Sequence, residues 1–224
     1  MDKKAICIIP ARGGSKRIPN KNIRKINNKP MIAHVIRNLK KSKCFEDIFV
    51  STDSKKIKNI VEKNGAKVPF LRSKKLSNDF TPIHKVILDA IIRLKTKYDF
   101  SIICYIFPTS IFISDKLIKK YFKIFKKSNK DFFLVLKKFD HPIERALKIN
   151  NKKLKPIKEK NFTSRTQKFK SHYYDSGLIY FGRKNAFKNK KYIFDNKIEY
   201  FISNDKIMDI DTKEDLIEAK KLFR

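Results

Sequence analysis

Residues 5–22 read AICIIPARGGSKRIPNKN. Ala5–Pro10 is a continuous apolar run, as expected of a strand covered on both faces. Directly after it come two adjacent glycines, Gly13 and Gly14, a hydroxyl at Ser15 and four cations, Arg12, Lys16, Arg17 and Lys21. Adjacent glycines let a backbone approach a ligand and expose its N–H groups. Such donors, with positive charge converging on them, make a polyphosphate cradle. The loop matches neither common phosphate motif. Ile9 stands where a Walker A loop needs its first glycine, Ser15 rather than Lys follows Gly14, and GxGxxG is absent. The competing reading is a basic surface turn. Against it, two of the chain's five glycines and four cations fall right behind a buried strand.

Working outward, the chain alternates. Pro30 opens a helical pattern with Met31, Ile32, Val35, Ile36 and Leu39. Ile48–Ser51 reads as a second strand, followed by a helix (Ile57, Ile60, Val61) that stops near Gly65. Val68–Leu71 reads as a third strand. A helix from Thr81-Pro82, a strand at Ser101–Phe107, a helix capped by Ser114 and a strand at Phe132–Leu136 follow. The pattern weakens from about 140 to 170, with a short β-like piece at Arg145–Ile149, and this stretch reads as an insertion, lid or dimer arm. Gly177–Phe181 is a strand, with a short helical piece around Asn185. Ile207–Ile210 reads as the last strand, before a helix capped by Thr212. This pattern predicts an α/β fold, doubly wound and Rossmann-like, with a mostly parallel sheet. It reads as one domain over 1–224 with an inserted arm at about 140–170.

Ligands of open α/β sheets bind beyond the carboxyl ends of the strands. Asp209-Ile210-Asp211 lies at such an end. Residues two apart in a strand face one side, and Mg²⁺ takes one or two carboxylates plus phosphate oxygens. The competing reading has Asp211 capping the last helix and Asp209 as a surface acid. Ser51-Thr52-Asp53, Arg72 and Thr109-Ser110 fall on the same edge, and each is explained equally well as a turn or cap.

The chain carries 55 Lys and Arg against 22 Asp and Glu, net +33. Charge of this size points to an anionic partner. The excess is mostly Lys, however, and travels with Ile, Asn and Phe, the residues of A/T-rich codons. Codon bias accounts for most of it, with a smaller functional basic cleft inside. A non-enzymatic nucleic-acid-binding protein is the remote alternative; no helix-turn-helix signature or basic–aromatic stacking motif supports it. The 41% hydrophobic content and 19 Phe argue for a packed core over disorder. Three sparse cysteines without CxxC read as reduced thiols in a cytoplasmic protein. The apolar start is too short for a signal peptide, and Ile102–Ile113 is too short to span a bilayer.

Taken together, IIPARGGSKRIPNKNI (8–23), VSTDS (50–54), VPFLR (68–72), LSNDFTP (76–82) and MDIDTKEDL (208–216) resemble the bacterial cytidylyltransferases that activate nonulosonic, sialic-type acids as CMP-sugars. HPIERALKI (141–149) and the stretch from Ser164 to Gly182 look most like the pseudaminic acid branch. The sialic and legionaminic branches carry Gln-Pro-Thr-Ser-Pro where this chain has Phe107-Pro108-Thr109-Ser110-Ile111.

The resemblance implies a nucleotide-diphospho-sugar transferase type of fold. It implies CTP phosphates on Arg12, Gly13, Gly14, Ser15, Lys21 and Asn22, with Arg12 and Lys21 catalytic through the charge they neutralise. It implies base and ribose contacts near Arg72 and Asp79–Thr81, with Thr81 in the CTP site. Mg²⁺ would sit on Asp209 and Asp211. Arg165 would meet the sugar carboxylate, which suits a bidentate guanidinium, and Tyr174, Asp175 and Gly177 would line the sugar side. The expected reaction is attack of the anomeric hydroxyl of an acidic nine-carbon sugar on the α-phosphorus of CTP, releasing pyrophosphate. N-acetylneuraminate, legionaminate and 3-deoxy-manno-octulosonate are the alternative acceptors. A homodimer is implied, with no dedicated nucleic-acid or membrane partner. No general base is evident. Of the four histidines, His172 is the one to test, beside the bland reading that it is structural.

Overall fold

The computed structural model describes residues 4–159, 163–188 and 197–223. β1 (Ala5–Pro10) is buried along its whole length. A 3₁₀ turn at Lys21–Ile23 leads to a small ribbon, β2 (Lys25–Ile26) and β3 (Lys29–Pro30). Asn27 and Asn28 turn the ribbon with φ of 46° and 61°, the left-handed pair that a tight hairpin requires. Then come α1 (Met31–Ser42), β4 (Asp47–Ser51), α2 (Lys55–Lys63), α3 (Ile83–Leu94) and β5 (Ile102–Ile106). They are followed by α4 (Asp115–Lys127), β6 (Phe132–Lys138), β7 (Leu147–Asn150), β8 (Lys153–Pro156), β9 (Tyr173–Arg183), β10 (Ile198–Ile202) and α5 (Lys213–Leu222).

The main sheet runs β10-β6-β9-β5-β1-β4. β1 pairs in parallel with β4 and β5, and β10 in parallel with β6. β9 is antiparallel to both of its neighbours. The chain leaves β1 for β4 on one side and returns to β5 on the other. The strand order therefore reverses at β1, and the crevice at its carboxyl end is where such a sheet takes a ligand. Successive side chains of β1 point to opposite faces. Cys7 and Ile9 join a core with α1, α2, α4 and α5, while Ile6 and Ile8 pack with Ile87, Ala90, Ile91 and Leu94 of α3. Local signals set the helix starts. Ser54 and Ser114 accept the N–H of Ile57 and Leu117, and Thr212 with Asp215 forms a reciprocal capping box.

Two expected strands are not formed. Val68–Leu71 makes one isolated bridge, Leu71 with Thr52, and the preceding Lys67 makes another with Phe49; Pro69 has no N–H to give a ladder there. Ile207–Ile210 is irregular. Ile207 and Ile210 are buried as side chains, and the Ile207 carbonyl accepts from Lys137 Nζ at 3.2 Å rather than from a strand. The last strand is instead β10, a half-buried edge. The expected arm contains a β7–β8 hairpin turned by Asn151 and Lys152 at φ 48° and 64°. Leu147, Ile149 and Leu154 share one face of it with Pro156 and are exposed.

Phe181 of β9 is fully buried and lies within ring contact of Phe45, Phe122, Phe125 and Phe133, at centroid distances of 5.6–6.4 Å. It ties the antiparallel strand to α4 and the core. Phe181→Ala should lower the unfolding free energy by about 3–5 kcal/mol, read from urea unfolding curves. A loss below about 1 kcal/mol would contradict this role for the ring.

Candidate active site

The loop behind β1 is braced from below. Ala11 N donates to Ser51 O at 2.9 Å, extending the β1–β4 pairing by one residue. Gly13 N donates to Asp53 Oδ1 at 2.8 Å. A Cβ on Gly13 would meet Ser54 Cβ at 3.1 Å, whereas nothing lies within 4 Å of one on Gly14. Neither glycine has a positive φ. Gly13 thus serves the close approach to the start of α2, and Gly14 leaves an open backbone surface. Asn22 is buried, and its Nδ2 donates to the Arg12 carbonyl at 2.8 Å. Asn22 holds the loop's shape from within.

The four cations of the loop meet two acids from distant segments. Arg12 Nη2 and Lys16 Nζ pair with Asp79 at 2.5 and 2.8 Å. Lys21 Nζ and Arg17 Nη2 pair with Asp211 at 2.7 and 3.2 Å. These groups border a cavity of about 270 Å³ that is also walled by Ser15, Asn22, Arg72, Thr81 and Thr109. Arg72 forms a cationic wall. It is buried, donates from Nε to Ser77 Oγ at 3.1 Å, and has Nη2 4.0 Å from Asp53 Oδ1. Burial lowers its pKa, with the Asp53 charge working the other way. Thr81 donates from Oγ1 to Asn78 Oδ1 at 3.0 Å.

Asp209 and Asp211 lie on irregular chain just before α5, so strand alternation does not align them. The α5 cap does the placing: Asp211 N and Thr212 N both donate to Asp215 Oδ2, at 2.9 and 2.7 Å. The environments of the two acids push them apart. Asp209 keeps a solvent-accessible edge, yet the protein packed around its carboxylate raises its pKa; a Thr109 hydrogen bond opposes the rise. For Asp211, burial alone would raise the pKa, but the hydrogen bond and charge of Lys21, with Arg17, hold it below the usual range. Among the described residues no group of three or more His, Cys, Asp or Glu is placed to hold a metal ion. Asp211 borders the cavity and Asp209 does not; two hard carboxylate donors two residues apart, one of them on the cavity wall, nevertheless fit Mg²⁺, whose remaining ligands are commonly phosphate oxygens and water.

The expected sugar residues stand apart from this cavity. Asp175 accepts from Gly177 N at 3.0 Å and from the Tyr180 hydroxyl at 2.6 Å, so both its oxygens are engaged. Tyr180 stacks on Tyr105 at 4.5 Å, and burial first, then Asp175, raises its pKa. Gly177, at φ +71°, lies where β9 slips register against β6 between Leu134 and Leu136. Tyr174 leans on Phe139 at 4.9 Å. Arg165 heads the 3₁₀ turn Thr166–Lys168. None of Arg165, Tyr174, Asp175 and Gly177 walls the 270 Å³ cavity. His172 is likewise outside it, with Nδ1 3.4 Å from Glu144 Oε1. Sequence reasoning missed the bracing by Asp53 and the pairing of Asp79. The available signal was that each is a rare acid in a basic chain, next to a strand end or a turn.

Known proteins resemble this chain in sequence and in fold. A family model described as cytidylyltransferase matches residues 6–223. The pseudaminic acid cytidylyltransferase of Campylobacter jejuni strain 81-176 is 36% identical over 226 residues, which is 99% of this chain and 97% of that protein. The CMP-N,N'-diacetyllegionaminic acid synthase of Legionella pneumophila is 38% identical over 128 residues, 57% of this chain and 55% of that protein. In fold, the chain is similar to CMP:2-keto-3-deoxy-manno-octonic acid synthetase complexed with CTP, with a TM-score of 0.74 at 17% identity and 98% of both chains covered. The family match over residues 6–223 and the nearly full-length likeness at 36% identity place this chain in the cytidylyltransferase family.

Proposed function

We propose that this protein transfers CMP from CTP to the anomeric hydroxyl of pseudaminic acid and releases pyrophosphate. One observation carries the reading: the cationic loop 12–21 and Asp211 border a single cavity at the carboxyl end of β1. The full-length likeness to pseudaminic acid cytidylyltransferases supports the acceptor. The local likeness to legionaminic acid synthases favours, as second reading, the same reaction on another acidic nine-carbon sugar.

The triphosphate lies along the loop. Arg12, Lys16, Arg17 and Lys21 meet its oxygens, and the open backbone at Gly14 and Ser15 lets them approach. The attacking hydroxyl forms a bond to the α-phosphorus, the bond to the bridging oxygen breaks, pyrophosphate leaves, and the hydroxyl proton passes to solvent. No covalent enzyme intermediate is needed; catalysis rests on alignment and on fixed positive charge where negative charge builds up. Asp209 and Asp211 would hold Mg²⁺, which when bound would screen the phosphate charge and acidify a hydroxyl beside it. As the triphosphate takes Lys21 and Arg17, the oxygens of Asp211 are released for that role. Arg165 receives the sugar carboxylate from the arm. The exposed apolar face of the β7–β8 hairpin, with Leu147, Ile149 and Leu154, packs on a second copy to give a homodimer. Three free thiols suit a reducing cytoplasm.

Asp209→Ala and Asp211→Ala should each abolish pyrophosphate release from CTP, Mg²⁺ and pseudaminic acid, with an unchanged circular dichroism spectrum. Wild-type turnover in either would remove the metal role. Lys21→Glu should cut turnover by about 10²–10³-fold or more, as for the loss of a transition-state charge partner; near-normal kinetics would move the CTP site elsewhere. Ile149→Lys should shift the light-scattering mass from that of two chains to that of one. A monomeric wild type would contradict the dimer.

A further inference from the structure

Arg12 and Lys16 are gripped by a carboxylate that the reaction just described does not use. They bind different oxygens of Asp79, which therefore sits as a two-oxygen anion bridging two cations, as the oxygens of one phosphate would. Asp79 borders the 270 Å³ cavity and also the open concavity beside it, with Gly13, Gly14 and Ser15. Its own loop supports it. Asn78 Oδ1 accepts the N–H groups of Phe80 and Thr81, both at 2.8 Å, and Asn78 Nδ2 donates to Lys75 O at 2.8 Å. Ser77 Oγ donates to Ser73 O at 2.9 Å. The carboxylate is thus delivered by a turn that carries hydrogen bonds of its own besides the ion pairs. The Lys16 hydrogen bond, and then that of Arg12, keeps the Asp79 carboxyl below the usual range, so it is charged at neutral pH. The pairs are solvent-accessible, with Arg12 33%, Asp79 31% and Lys16 84% exposed at the side chain, so an incoming anion can exchange with Asp79 directly.

We propose that Asp79 is a placeholder anion. It holds Arg12 and Lys16 converged while the site is free of nucleotide, and it yields those two cations to a phosphate group of the incoming substrate. The inference rests on reading the loop as the triphosphate site. Asp79 is a positioning residue that competes with polyphosphate for the same partners, so it weakens binding and eases the departure of pyrophosphate. A ligand that binds only when a pre-formed contact opens has its apparent affinity reduced by the open fraction. Two exposed ion pairs, each worth a few-fold, put that factor at about three- to thirty-fold.

The test is calorimetric titration of CTP, inorganic triphosphate and pyrophosphate into wild type, Asp79→Asn and Asp79→Ala. Both variants should bind all three ligands about three- to thirty-fold more tightly, and pyrophosphate should become a stronger product inhibitor. A structural role, or a contact to the nucleoside, predicts the opposite sign. Unchanged or weaker binding of inorganic triphosphate in variants with a normal melting temperature overturns the proposal. Binding of none of the three ligands to wild type would instead remove the phosphate site itself, and the placeholder with it.

Discussion

Four cations within ten residues repel one another, and carboxylates arriving from elsewhere in the chain offset that repulsion in the loop after β1. Asp79 comes from the turn before α3 and takes Arg12 and Lys16; Asp211 comes from the approach to α5 and takes Lys21 and Arg17. Asp53, from the end of β4, fixes the backbone between them through Gly13 N. The exposed ones among these pairs, those of Lys16 and Arg17, add little stability one by one. Their value is geometric: they keep positive charge concentrated over one cavity, where a polyanion can exchange for the acids. In the proposed reaction, that exchange would join the binding of CTP to the release of Asp211 for magnesium.

The sheet makes the meeting possible. Because strand order reverses at β1, residues far apart in sequence end at a common edge: the loop after β1, Asp53 after β4, and Thr109 after β5. The C-terminal segment joins them through the capping box of α5, whose Asp215 also receives Asp211 N. A helix cap, ordinarily a matter of about 1 kcal/mol, here also orients a site carboxylate. β9 runs against the rest of the sheet and carries Asp175, Gly177 and Tyr180 past the same edge, spaced by the register slip at Leu134 and Leu136.

Buried strands were legible where unbroken apolar runs are bounded by turn residues, as in β1 and β5, and helices where apolar residues recur every three or four positions. Direction was not legible. Periodicity is the same for parallel and antiparallel strands, so β9 gave no sign of running backwards. Val68–Leu71 is apolar enough for a strand, but Pro69 withholds a ladder donor, and Ile207 and Ile210 are apolar because their side chains fill the core. Residues 207–210 show how a short apolar run can mark burial without marking a strand. That the cationic loop and Asp211 meet at one cavity was legible because residue type and position coincide. The partnership of Asp79 with Arg12 was not, since an ion pair across 67 positions leaves no local pattern. The sugar-side residues came from resemblance alone, and they stand outside the cavity.

In the proposed reaction one cavity serves both the triphosphate and the metal. A crystal of the protein grown with CTP and Mn²⁺ and measured at the manganese edge tests this directly. The account predicts an anomalous peak shared by the Asp209 and Asp211 carboxylates and the nucleotide phosphates, with the β- and γ-phosphates against residues 12–21 and Asp79 displaced from Arg12. A nucleotide bound elsewhere, or manganese bound away from both aspartates, would contradict it.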